Sequence, residues 1–222
     1  MTRAPSGWAA ICGLLLLSAL PVLGGVLRLA EGRGDRDGEL LVASLVAIGA
    51  HIVAMSLFCV LGAFQFSPAL RTRHSWHRAA GLVLIPAGFI AALSSIWLAV
   101  FFGGPPEEFA LAMVRLVVAV PMIAFLACAV VAITRRNVVA HGAWMTRAYA
   151  IAVSGGTQAL LVALWSIPVG DVDSVAETWL VAAGFAINSL VAEGIVRRRS
   201  RTRSRGRRSR RERTAGIAIT PG

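Results

Sequence analysis

Six apolar runs alternate with short polar links along the chain. The runs lie near 8–29, 40–64, 79–102, 109–133, 143–167 and 175–196. A helix needs roughly 20 mostly apolar residues to cross a bilayer, and each run supplies that length. The links read "EGRGDRDGE", "SPALRTRHSWHR", "GGPPEE", "TRRNVVAH" and "PVGDVDSV". Apolar runs this long and this closely spaced do not suit a soluble domain. The pattern predicts an all-α fold: a polytopic bundle of six transmembrane helices over residues 1–196, followed by a disordered arginine-rich tail at 197–222. The first run follows Arg3 and so has the outline of a signal peptide. Its length, and the lack of a small-x-small cleavage site after it, favour a membrane span.

Charge then orients the bundle. Arg71, Arg73 and Arg78 fall in the second link, Arg135 and Arg136 in the fourth, and Arg147 just inside the next run. Glu31, Asp35, Asp37, Glu39, Glu107, Glu108, Asp171, Asp173 and Glu177 lie in or beside the first, third and fifth links, which leaves only two acidic residues elsewhere. Arginine-rich loops stay on the cytoplasmic side. The expectation is a multi-pass protein of the cell membrane with both termini in the cytoplasm.

The net charge of +11 is concentrated in one place: residues 197–213 hold eleven arginines and one glutamate, leaving +1 for everything else. The tail "RRRSRTRSRGRRSRRER" is too charged to fold alone. Its expected partner is the bilayer itself, through anionic lipid headgroups. It has no aromatic side chains to stack on bases, so no specific nucleic-acid binding is expected. Cys12, Cys59 and Cys128 sit on three different runs with no CxxC spacing, which suits small buried hydrophobes better than a disulfide framework.

Ionisable groups inside a bilayer are costly and usually face the bundle interior. His51 lies near mid-membrane in the second run. Arg115 lies a turn or two into the fourth, within reach of the headgroups. Arg147, Ser154 and Gln158 form a polar stripe along the fifth run, at spacings of seven and four. His51, Arg115, Ser154 and Gln158 are therefore candidates for one intramembrane polar site. His77 and His141 instead open the third and fifth runs at the cytoplasmic boundary. Each has a tryptophan nearby (Trp76, Trp144) and an arginine after it (Arg78, Arg147). An interfacial belt accounts for the tryptophans and arginines but does not require the histidines.

The segments "GAFQFSPALRTRHSWHRAAGLVLIPAGFIAALSSIWL", "HGAWMTRAYAIAVSGGTQAL" and "INSLVAEGIVRR" resemble bacterial membrane proteins of the domain-of-unknown-function 2306 family, the actinobacterial members above all. The resemblance runs from the second run through the sixth, and His51 fits its pattern. It implies an integral membrane protein and brings no activity with it.

Three readings follow. The first is a polar, histidine-containing intramembrane site that binds a small molecule or protons, with a histidine suited to titration near neutral pH. The second is a b-type haem with His77 and His141 as axial ligands and Arg78 and Arg147 on the propionates. The third is a structural membrane protein whose histidines only join helices. No phosphate-binding loop, HExxH or nucleophile elbow is present, so the sequence assigns no reaction and no oligomeric state.

Overall fold

A computed structural model describes the backbone of residues 8–30, 39–66, 74–101 and 109–217, and the side chains of 8–27, 45–66, 75–101 and 109–206. Glu31, Asp35, Asp37, Arg71, Arg73, Glu107 and Glu108, which carry part of the charge argument, lie outside the described residues. The chain forms helices α1 (Trp8–Ala30), α2 (Glu39–Gln65), α3 (His74–Phe101), α4 (Phe109–Thr134), α5 (Val138–Val169) and α6 (Ser174–Ile217). All six are long and apolar enough to cross a membrane. Their outward faces carry large apolar side chains. Leu16, Leu82 and Leu190 are 73%, 70% and 73% exposed, a perimeter suited to lipid rather than water.

α5 is the central helix, packed against α1, α2, α4 and α6. Residues 148–154 are buried without interruption, so over two turns this helix has no lipid-facing side. Around it the pairs α2–α3 and α3–α4 close the bundle. The core lies where α2, α3, α4 and α5 meet, built on Phe58, Leu84, Met122, Leu126 and Tyr149. Small residues allow the close crossings. A Cβ on Gly88 would run into Phe58 and Leu126, and one on Gly156 would run into the backbone carbonyl of Leu17 on α1.

Two helices begin earlier than their apolar runs. α3 starts at His74 rather than 79, and α5 at Val138 rather than 143. The reason is local at α5. α4 ends in a paired-hydrogen-bond turn, Arg136 N–H to Ile133 C=O at 2.9 Å and Asn137 N–H to Ala132 C=O at 2.8 Å. Arg136 takes the left-handed conformation this motif needs, at φ 58°. Asn137 then caps α5 at once, its side-chain oxygen accepting from Ala140 N–H at 3.0 Å. His141 therefore sits one turn inside a helix, not in a link.

The arginine run also departs from the sequence expectation. Where composition predicts disorder from residue 197, α6 continues as helix to Ile217. Arginine is a good helix former and the run contains no proline, so a helix already nucleated in the membrane propagates through it.

Candidate functional site

His51 is held by α3. Its Nδ1 lies 2.9 Å from the Ala91 carbonyl and 3.1 Å from Ser94 Oγ. A carbonyl oxygen only accepts, so Nδ1 carries the proton and donates. Ser94 Oγ in turn donates to the backbone carbonyl of Ile90 at 2.7 Å, leaving its lone pairs toward the ring. The neutral imidazole then keeps Nε2 as its lone-pair atom, which is the form that can accept a proton or a hydrogen bond.

On α5, Ser154 is buried and donates to the Ile151 carbonyl, while Gln158 Nε2 donates to Ser154 Oγ at 3.3 Å. α6 makes room for this amide at Gly184, where a Cβ would meet Gln158 Cγ at 2.5 Å. Arg115 on α4 reaches toward α6, with Nη2 3.8 Å from Glu177 Oε1 and both side chains close to half exposed. At that separation and exposure the pair is a rim feature whose stabilisation is small.

His51, Arg115, Ser154 and Gln158 line one cavity of about 220 Å³, to which all six helices contribute. Pro21 and Val22 of α1 close one wall, and Met55, Met122 and Phe185 supply much of the apolar surface. Among the described residues no carboxylate lines it, and its histidine and hydroxyl stand without the acid–base partner usual in hydrolytic sites. An apolar cleft with a few convergent polar groups is the usual form of a small-molecule site. At about 220 Å³ this one is below the roughly 300–1,000 Å³ of drug-sized sites and suits a smaller ligand.

His77, Arg78, His141 and Arg147 lie elsewhere, and none of them lines this cavity. His141 Nδ1 is 3.0 Å from the Ala129 carbonyl on α4, so it donates across the α4–α5 contact. Trp144 stacks on Phe125 at 5.7 Å between ring centroids, and the Arg147 guanidinium lies 4.8 Å from the Trp144 ring centre. Arg147 Nη2 and Nε donate to Glu193 Oε2 at 2.8 and 3.1 Å, and Arg197 Nε donates to Glu193 Oε1 at 2.9 Å. The arginine proposed for a propionate thus already has a carboxylate partner. His77 is half-buried and its backbone carbonyl lies 3.5 Å from Gln65 Nε2, while Arg78 is exposed. α3 and α5, which carry the two histidines, are not among the closely packed helix pairs. Among the described residues no group of three or more metal-ligating side chains is present.

Several contacts escape a reading of the sequence. Tyr149 donates its phenol proton to the Cys59 carbonyl at 2.8 Å, deep in the core. Asn188 Nδ2 donates to Thr157 Oγ1 at 2.7 Å and joins α6 to α5. The pairing of Arg147 with Glu193 likewise depends on α5 facing α6.

Comparison with known proteins places these features in context. No curated protein and no solved structure matches the chain. A family model described as predicted membrane protein (DUF2306) matches residues 48–196. That stretch holds His51, Arg115, Ser154 and Gln158 and leaves out α1 and the arginine run. The matched stretch covers about two thirds of the sequence, and the chain belongs to the DUF2306 family of predicted membrane proteins.

Proposed function

We propose that this is an integral protein of the cell membrane, with both termini in the cytoplasm, whose function is to bind a small molecule or protons in the cavity around His51. The observation that carries this reading is the convergence of His51, Arg115, Ser154 and Gln158, from three helices, on one largely apolar chamber. Uncompensated polar groups are expensive in a bilayer. His51 is paired helix to helix through Nδ1, as His141 is; what a purely structural role would not call for is the space left beside it and its three polar neighbours. The orientation draws support from the grouping of charge. Arg135, Arg136, Arg147 and Arg197 lie toward one end of the bundle, and Asp171, Asp173, Glu177 and Arg115 toward the other.

The test is thermal unfolding of the detergent-solubilised protein with a panel of small carboxylic acids, phenols and amines. A bound compound raises the midpoint in proportion to the logarithm of its concentration above Kd. At least one class should stabilise the wild type and leave His51→Ala unshifted. If no compound shifts the wild type, and pH titration between 5 and 8 moves wild type and His51→Ala alike, the reading fails.

A further inference from the structure

α6 runs antiparallel along α5 for the depth of the bundle. Gly184 lies beside Gln158, Asn188 bonds Thr157, and Glu193 bonds Arg147. Among the described side chains its last buried residue is Ala192. From Arg197 to Gly206 every residue is exposed while the helix continues unbroken to Ile217. The arginine run thus leaves the bundle along the line of a membrane-spanning helix. At 1.5 Å per residue, residues 197–213 extend roughly 24 Å beyond it.

We infer that this helix is a binding element for double-stranded nucleic acid, engaging the phosphate backbone without base specificity. Three features separate it from a lipid-binding segment. Screening confines the attraction of anionic headgroups to about 8 Å at physiological salt, so a helix standing off the surface presents only its first turns to lipid. No apolar side chain lies between Val196 and Ala215, so there is no face to insert into the headgroup region. The arginines also do not share one face. Arg197, Arg201 and Arg205 fall on one side of the helix and Arg199 and Arg203 on the other, whereas a bilayer meets only one side. A duplex groove meets more: a helix roughly 10–12 Å across fits a major groove about 12 Å wide, with phosphates on both flanks. Like charges at i and i+4 (197/201, 199/203, 201/205) repel along the helix, and a surrounding polyanion relieves that repulsion.

The experiment places the full chain in nanodiscs of phosphatidylcholine alone, or with phosphatidylglycerol added, and titrates a short labelled DNA duplex at physiological salt. Duplex binding is expected in both lipids, with a steep salt dependence. Replacing the distal arginines 203, 205, 207, 208, 210, 211 and 213 by glutamine should weaken it on the order of 100-fold or more. Replacing Arg198, Arg199 and Arg201 should cost much less. The thermal midpoint of each variant, set by the bundle, verifies folding. The inference is overturned if phosphatidylglycerol in the disc abolishes duplex binding, which would lay the run on lipid. It also fails if the distal variant binds like the wild type, or if a single strand of equal length binds as tightly as the duplex.

Discussion

Tyr149 and Gly62 are fitted to one another across the α2–α5 contact: the tyrosine ring occupies the space that a Cβ at position 62 would fill. The same ring lies 5.0 Å from that of Phe66, and its hydroxyl donates to Cys59 C=O on the facing helix. The central helix is thus fixed to α2 by one polar contact and one steric one. Removing the first by Tyr149→Phe should cost about 1 kcal/mol. Violating the second by Gly62→Ala should cost about 1–3 kcal/mol, because an aromatic ring in a packed core has nowhere to move. Thermal unfolding in detergent should rank Gly62→Ala below Tyr149→Phe, and both below the wild type.

Gly156 and Gly184 make a contrasting pair. A Cβ at 156 meets a backbone carbonyl of α1, while one at 184 meets the flexible side chain of Gln158. Gly156→Ala should push α1 away and open the cavity wall formed by Pro21 and Val22. Cys59 lines the same cavity and is 3% exposed, so it serves as the reporter. With Cys12 and Cys128 replaced by serine, maleimide should label Cys59 faster in Gly156→Ala and at an unchanged rate in Gly184→Ala.

Both His51 and His141 donate through Nδ1 to backbone carbonyls. This is the reverse of the tautomer a free neutral histidine side chain favours in water. Nitrogen-15 spectra of histidine-labelled protein in the neutral-imidazole form should include Nδ1-protonated signals from both rings. Those signals should disappear one at a time in His51→Asn and His141→Asn. A protonated Nε2 on residue 51 would contradict the arrangement that leaves its lone pair for a ligand.

Arg136 holds a left-handed conformation in the α4–α5 turn. Glycine adopts it without the steric cost an L side chain meets. Arg136→Gly should therefore raise stability by up to about 1 kcal/mol, whereas Arg136→Val should lower it, because a branched Cβ is least tolerated there. Equilibrium unfolding of the two variants side by side checks the sign.

The proposed orientation has a direct readout. A reporter active only outside the cytoplasm should be active when fused at residue 105 and silent when fused after Gly206. The opposite pattern would invert the bundle and place the arginine helix on the outer side.

The six spans were legible because lipid and protein both demand apolar side chains over a fixed length. The starts of α3 and α5 were not. "HSWHR" and "VVAH" read as polar links, whereas a capping asparagine and a tight turn carry the α5 helix into the polar zone. Depth and helical face pointed to His51, Arg115, Ser154 and Gln158 as a set, since helix geometry alone fixes those two coordinates. What composition and periodicity do not encode is which helix faces which. For that reason the hold of Ala91 and Ser94 on His51, the Thr157–Asn188 bond and the Arg147–Glu193–Arg197 cluster became visible only in the folded bundle. The arginine run differs for another reason: charge density describes an isolated segment, and this one continues a helix already formed.

The burial of α5 on all sides over residues 148–154 bears on how the protein is assembled. The bonds α5 makes at Thr157 and Arg147 form only once α6 is beside it, and its close approach at Gly156 only against α1. The first four helices therefore form a receiving cleft, and α5 docks into it rather than joining a finished ring. α6, clasped to it through Thr157 and Arg147, then acts as the closing stave. Synthesis from the N-terminus would supply the helices in that order, so packing in the order of translation would satisfy each of these contacts as its partner arrives.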